Sequence, residues 1–390
     1  MNPPRIVLAP DKFKGSLTAG EVAEAVAAGI RRVRPDADIR WVPVADGGEG
    51  TVDAAAAAGL DCTTVEVGGP TGEPVRAAFA HNGTTAVVEA AAACGLSRLP
   101  GGVLAPLTAT SRGVGELLLA ALDSGCRTIV LGVGGSACTD GGAGMLAGLG
   151  AALLDAAARP VGPGGDGLAD IAYLDLHRLD PRIHEVDLVL ASDVDNPLLG
   201  THGAAAIFGP QKGAGAGELA VLEAGLVHWS RLVAHRTGFD GADRGFYGAD
   251  RPGAGAAGGI GFAALAVLGA RRSGGIDVML DLVGFDRAIK DADLVVTGEG
   301  SLDEQTLHGK APAGVAARAG RAGVRTIAVA GRQLLDEAQL RAAGFAASYP
   351  LTALEPDLQR CQDEAAALLH RQGELIAREQ LTESTAIRAS

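Results

Sequence analysis

The sequence predicts an α/β fold: a Rossmann-like parallel-sheet domain formed by both ends of the chain, with a second α/β domain inserted between them. Three observations carry this. Short runs such as RIVLAP, TIVLGV, DLVLAS, DLVVTG and TIAVAG are apolar along their centres and of strand length, as expected of strands buried on both faces. Several lead through a polar loop into a helix-like pattern, the order that builds parallel sheets. Such runs occur before residue 10 and again after residue 290, so one sheet draws on both termini.

The elements follow in order. Residues 5–10 form a strand, and Thr18-x-x-Glu21 reads as a capping box opening a helix that stops before Pro35. IRWVPV (39–44) is a second strand, leading into Asp46-Gly47-Gly48-Glu49-Gly50-Thr51 and an alanine-rich helix closed by Gly59. Residues 62–90 alternate and carry an Asn82-Gly83 hairpin signal, so an antiparallel element interrupts the parallel pattern. A helix near 111–123 feeds the strand TIVLGV (128–133), a glycine-rich loop and a helix over GMLAGLGAALLDA. Strands at 187–192, 293–298 and 326–331 and a helix near 218–237 complete the reading. The domains are expected at 1–60 with 286–375, and at 61–285, with 376–390 as a frayed tail.

Composition narrows the function. At 390 residues the chain exceeds one ordinary core, and with 47% apolar but only 3% aromatic residues its packing rests on Ala, Val and Leu. A net charge of −13 argues against a general nucleic-acid or membrane-surface binder. Five scattered cysteines without C-x-x-C indicate neither a disulfide framework nor structural zinc. No charged and apolar leader pattern is present, and no apolar run reaches the roughly 18 residues of a membrane span, so a cytoplasmic protein is expected.

Five apolar runs end in unusually polar loops: APDKFKGS (9–16), ADGGEGT (45–51), GGSACTDGG (134–142), ASDVDNP (191–197) and TGEGSLD (297–303). In open α/β sheets ligands bind outside the carboxyl ends of the strands, so these loops are candidates for one site in a cleft between the domains. Any one of them alone also reads as a turn. Of the 33 basic residues only five are lysines, at 12, 14, 212, 290 and 310, and all but Lys290 lie in loops rich in glycine and acids. A compact point charge suits a phosphate or carboxylate, and a surface pair with Asp303 or Glu304 is the alternative reading of Lys310. Glycine amides, lysines, carboxylates for magnesium and a base are the parts phosphoryl transfer needs. Asp193, Asp195 and Asn196 form an oxygen-rich cluster that suits magnesium shared with a nucleotide, because Ala204 stands where an EF-hand needs its last ligand. Neither a Walker A loop nor a G-x-S-x-G elbow is present, while Gly132-x-Gly134-x-x-Ala137 fits a dinucleotide fingerprint. His308, beside Lys310, is a candidate proton carrier against the alternative of a surface histidine.

Taken together, APDKFKGSLTAGEVAEAV, VADGGEGTVDA, GGSACTDGGAGML, ASDVDNPLLG with FGPQKGA, GIDVMLDLVGFD and DLVVTGEGSLDEQTLHGKAP resemble, in order and spacing, the type 1 glycerate kinases of bacteria over about residues 5–375. Lys12 stands where serine is common in that family, and Cys138-Thr139 where Thr-Asn is common. The resemblance implies a cytoplasmic transferase that uses ATP and Mg²⁺ to phosphorylate D-glycerate, favouring 2-phosphoglycerate, in glyoxylate or sugar-acid breakdown. It implies two α/β domains and leaves a homodimer open. On this reading Lys14 and Lys310 are catalytic, with Asp46 or Asp193 as base and Asp193, Asp195 and Glu299 toward magnesium. Lys12, Ser16, Gly47, Gly48, Glu49, Gly134, Gly135, Ser136, Thr139, Asp140, Asn196, Lys212, Gly298, Ser301 and Asp303 are the substrate- and nucleotide-binding candidates. A non-catalytic binder of small acids and a dinucleotide-dependent oxidoreductase are the alternatives.

Overall fold

Apolar runs with no polar alternation form stable strands only where both sheet faces are covered, and that requirement organises the computed structural model of this chain. The structure describes residues 3–237 and 248–381, apart from the His308 side chain. In chain order the strands are β1 (Arg5–Pro10), β2 (Asp38–Trp41), β3 (Asp61–Gly68), β4 (Pro74–His81), β5 (Thr85–Glu89), β6 (Thr128–Gly132), β7 (Ala152–Leu154), β8 (Tyr173–Asp175), β9 (Asp187–Ala191), β10 (Arg271–Ser273), β11 (Leu294–Leu302), β12 (Thr326–Gln333) and β13 (Phe345–Pro350). The chain divides into two units, Met1–Asp46 with Ile276–Ser390, and Gly47–Gly275.

The unit built from both termini holds a five-stranded, all-parallel sheet in the order β13-β12-β11-β1-β2. Alternate residues of each strand serve opposite faces. Ile6 and Leu8 pack with Val22, Val26 and Ile30 of the helix Ala19–Val33 and with Leu368, Leu369 and Ile376 of the helix Ala365–Gln380. Val7 and Ala9 face Ile276, Leu280, Phe285 and Val315 on the other side. The capping box is present as the sequence predicts: Glu21 N–H donates to Thr18 Oγ1 while the Glu21 carboxylate accepts from Thr18 N–H.

The other unit contains a six-stranded sheet, β10-β9-β6-β5-β4-β3, parallel from β10 to β5 and antiparallel from β5 to β3. The Asn82-Gly83 signal does mark the β4–β5 turn, where Asn82 Oδ1 accepts from Thr84 and Thr85 N–H. A separate hairpin pairs β7 with β8.

Some expectations are corrected. The helix over GMLAGLGAALLDA stops after Ala143–Gly148, because Gly150 turns the chain at φ 108° and residues 152–154 leave as a strand. The second strand ends at Trp41 rather than residue 44. The units divide at 46/47 and 275/276 rather than 60/61 and 285/286. The helix Thr51–Ala57 lies on β4 and β5, and Ile276, Leu280 and Phe285 belong to the core under β1 and β11. Residues 376–380 are helical and Leu381 is buried, while 382–390 of the expected tail lie outside the described residues. Among the described residues no helix is long and apolar enough to cross a membrane.

The helices Ala19–Val33 and Ala365–Gln380 touch through glycine. A Cβ on Gly29 would overlap the His370 carbonyl, and one on Gly373 would overlap the Val26 carbonyl. Gly373→Ala is therefore expected to lower stability by roughly 1–3 kcal/mol or more in urea melts. Gly320→Ala, whose added methyl meets no atom within 4 Å, is expected to be neutral or to stabilise by up to about 1 kcal/mol. Equal effects of the two would remove the close-packing account.

Candidate active site

In the terminal unit the chain leaves β1 into a tight loop. Phe13 is buried, its N–H donates to Leu17 O at 2.9 Å and its carbonyl accepts from Ser16 and Leu17. One anchored aromatic residue thus fixes the flanking Lys12 and Lys14. Asp11 N–H donates to Gly298 O at 2.8 Å, which ties this loop to the middle of β11. Around the joint lies a cavity of about 610 Å³ lined by Asp11, Lys12, Lys14, Ser16, Asp46, Glu299, Ser301, Gln305, Lys310 and Arg332, among others.

Its electrostatics are those of crowded acids held in check. Asp11 is pushed up to about 6, first by burial and then by the neighbouring Asp46 charge, against the opposing hydrogen bond from Lys12 N–H. Glu299 is 7% exposed and is also raised by burial, while Thr306 and Lys310 pull it back. Thr306 Oγ1 donates to Glu299 Oε1 at 2.5 Å, and Lys310 Nζ lies 3.2 Å from Oε2 and 3.8 Å from Asp303 Oδ1. Lys310 is therefore a cavity residue and not a surface lysine. Asp303 caps the following turn through Gln305 N–H, and Arg332 Nε donates to Ser301 Oγ at 3.1 Å. Ser16 Oγ donates to Gln362 O.

In the inserted unit three of the polar loops meet backbone to backbone. A Cβ on Gly132 would overlap the Gly47 carbonyl, one on Gly134 would fall 2.7 Å from Gly48 Cα, and one on Gly47 would fall 3.1 Å from Ala191 O. The 134–142 loop is braced from behind. Asp140, 1% exposed, accepts from Ser111 N–H and Oγ, Thr110 Oγ1, and Gly142 and Gly144 N–H. Lys212 is buried, which lowers its basicity, and its ammonium donates to Ser136 Oγ at 3.2 Å and Cys138 O at 2.5 Å. Thr139 is fully buried and its hydroxyl has no partner among the described residues. Asp140 and Lys212 thus shape the loop from inside.

The remaining candidates are distributed. Asp193 accepts from Gly275 N–H at 3.0 Å, Asp195 from Arg272 at 2.6 Å, and Asn196 donates to His202 O. Glu49 lines a cavity of about 350 Å³ with Asp53, Glu89 and Arg98. Gly135 O accepts from Leu96 N–H. The His308 side chain lies outside the described residues. Among the described residues no three His, Cys, Asp or Glu come together to hold a metal ion by themselves. Asp11, Thr306 and Arg332 escaped the sequence reading. Asp11 was hidden beside the two lysines of its own loop, and Arg332 directly follows TIAVAG, where the rule of strand carboxyl ends points.

Residues 6–381 match the glycerate kinase family. The chain belongs to that family. The glycerate kinase of Bacillus subtilis (strain 168) is 45% identical over 380 residues, covering 96% of this chain and 97% of that protein. The glycerate 2-kinase of Escherichia coli (strain K12) is 46% identical over 315 residues, covering 80% and 81%. A crystal structure from Salmonella typhimurium LT2, described as glycerate kinase 2, superposes with a TM-score of 0.82 at 41% identity, covering 97% of this chain and 98% of that one. These names are those of phosphotransferases, and the α/β fold and the resemblance read from the loops agree with them. The Asp11 loop and the Glu299–Lys310 segment therefore belong to a glycerate kinase, and their charges can be tested as such.

Asp11 holds its proton more tightly in the folded chain than its ordinary value of 3.8 allows. Stability consequently falls as pH rises from about 4 to about 6, where the cost of the buried charge is complete. Asp11→Asn is expected to raise the melting temperature at pH 8, and to raise it less at pH 5. The same change at both pH values would rule this out.

Proposed function

We propose that the chain transfers the γ-phosphoryl group of ATP to a hydroxyl of D-glycerate, with 2-phosphoglycerate as the favoured product. The observation carrying this is the cavity in which Lys12, Lys14, Lys310 and Arg332 surround Asp11, Asp46 and Glu299, in a chain of this family. Lys14 is exposed, and Arg332 keeps its terminal nitrogens clear of protein partners among the described residues, so these two are assigned to the glycerate carboxylate. Ser16 and neighbouring amides assist.

Asp11, aided by Asp46, accepts the proton of the attacking hydroxyl. A carboxyl near 6 is ionised at neutral pH yet more basic than an ordinary one, which suits a general base. Lys310, already oriented by Glu299, meets the charge that develops on the transferred group. Lys12 serves the phosphates from the other side of Phe13. In the inserted unit Gly47, Gly48 and Gly134 let their loops approach backbone to backbone, and Asp140 and Lys212 shape the loop that carries Gly135 and Ser136, the further nucleotide-binding candidates.

The acids fit magnesium that arrives with ATP: they are hard oxygen donors, too few for a cage, and Asp11 and Glu299 carry buried charge that a cation relieves. Glu299 would hold it by exchanging its bonds to Thr306 and Lys310, and Asp193 and Asp195, whose present partners are Gly275 N–H and Arg272, are the further candidates. Bound there, the ion would neutralise phosphate charge.

A coupled assay of ATP consumption is expected to depend on D-glycerate, with phosphorus NMR identifying the product isomer. Lys14→Ala and Lys310→Ala should lower kcat/KM by about 10²-fold or more, while Lys290→Ala, exposed at a helix end, leaves it unchanged. Equal rates in all three would end the assignment. Saturable glycerate binding without ATP turnover would favour a non-catalytic binder, and nicotinamide binding an oxidoreductase.

A further inference from the structure

The inserted unit contains a cavity of about 380 Å³ to which none of the roles above is assigned. Its size is near the lower end of the roughly 300–1,000 Å³ of small-molecule sites. The walls are largely carbon, from Ala143, Ala147, Ala151, Leu153, Leu154 and Val161. They are also preformed. Val161 N–H donates to Leu153 O and Asp166 N–H to Leu107 O, while Gly164, at φ 91°, packs directly on the Leu107 and Thr108 backbone. A site that needs no ordering on binding keeps more of its contact energy.

The charged lining residues are two arginines. Arg112 Nε is held by Glu116 at 3.1 Å. The Arg178 guanidinium has no hydrogen-bond or ion-pair partner among the described residues, in a chain whose net charge is −13. An unpaired planar fork beside a carbon-lined cavity matches a carboxylate borne on an apolar body.

We propose that this cavity is a second ligand site, for a small monocarboxylate with a compact branched apolar skeleton, its carboxylate on Arg178 and its carbon body against the alanine and leucine wall. Nothing in the proposal depends on the kinase reaction.

The test is calorimetric titration of the full chain with 4-methylpentanoate. Saturable binding is expected with a dissociation constant of about 1 mM or tighter. Arg178→Ala, an exposed position, should weaken it at least about tenfold, and 4-methylpentanamide should bind wild type about tenfold more weakly. Gly162→Leu, at a lining position where the added Cβ would meet no atom within 4 Å, should abolish binding by filling the space. Absence of saturation in wild type at about 10 mM, or equal affinity in wild type and Arg178→Ala, would overturn the proposal, and the second criterion holds even if the Gly162 variant fails to fold.

Discussion

Negative charge gathered at the buried carboxyl ends of β1 and β11 is the constraint on which the terminal unit depends. Asp11, Asp46 and Glu299 line one cavity, and a carboxylate removed from water beside others does not stay ionised without compensation. Glu299 shows how this is met: one oxygen accepts from the Thr306 hydroxyl and the other faces the Lys310 ammonium. Those two bonds fix the segment between them. Asp303 caps the short turn, Gly309 reverses the chain at φ 99°, and Lys310 stands at the N-cap of the next helix, Ala311–Arg321. The same crowding makes the site responsive, because any proton or cation that enters relieves charge the fold cannot fully offset.

The inserted unit meets the same requirement with different parts. Asp140 is almost completely buried, and its carboxylate accepts hydrogen bonds from five donor groups around it. Lys212 reaches the same loop with its ammonium turned onto Ser136 and the Cys138 carbonyl. A loop braced by buried polar groups holds its backbone in one geometry, and preorganised backbone is what a phosphate or a developing charge needs. The glycines at 47, 132 and 134 complete this by letting three loops approach without side chains between them.

Much of this was legible in the residues. Uninterrupted apolar runs locate the central strands because strands covered on both faces tolerate no polar alternation, and the capping box at Thr18 and the Asn82-Gly83 turn are local chemistry that acts the same way in any context. Short pieces escaped. The strands β7, β8, β10 and β13 are edge or hairpin elements whose pairing partners are distant in sequence, and Gly150 ended a helix that the alanine pattern alone would continue. Asp11 was passed over because its significance lies in burial beside Asp46, a property of two positions 35 residues apart.

The sequence by itself determined the fold class, the family and the loops that carry the polar chemistry, since hydrophobic period, turn residues and ordered motifs are written along the chain. Only tertiary structure decided what each polar residue does. Lys310 and Lys212 look alike as lysines in glycine-rich segments, yet one stands in a cavity against Glu299 and the other lies buried as a brace. Burial and partner choice set charge, basicity and accessibility, and these arise from contacts between residues far apart in the chain.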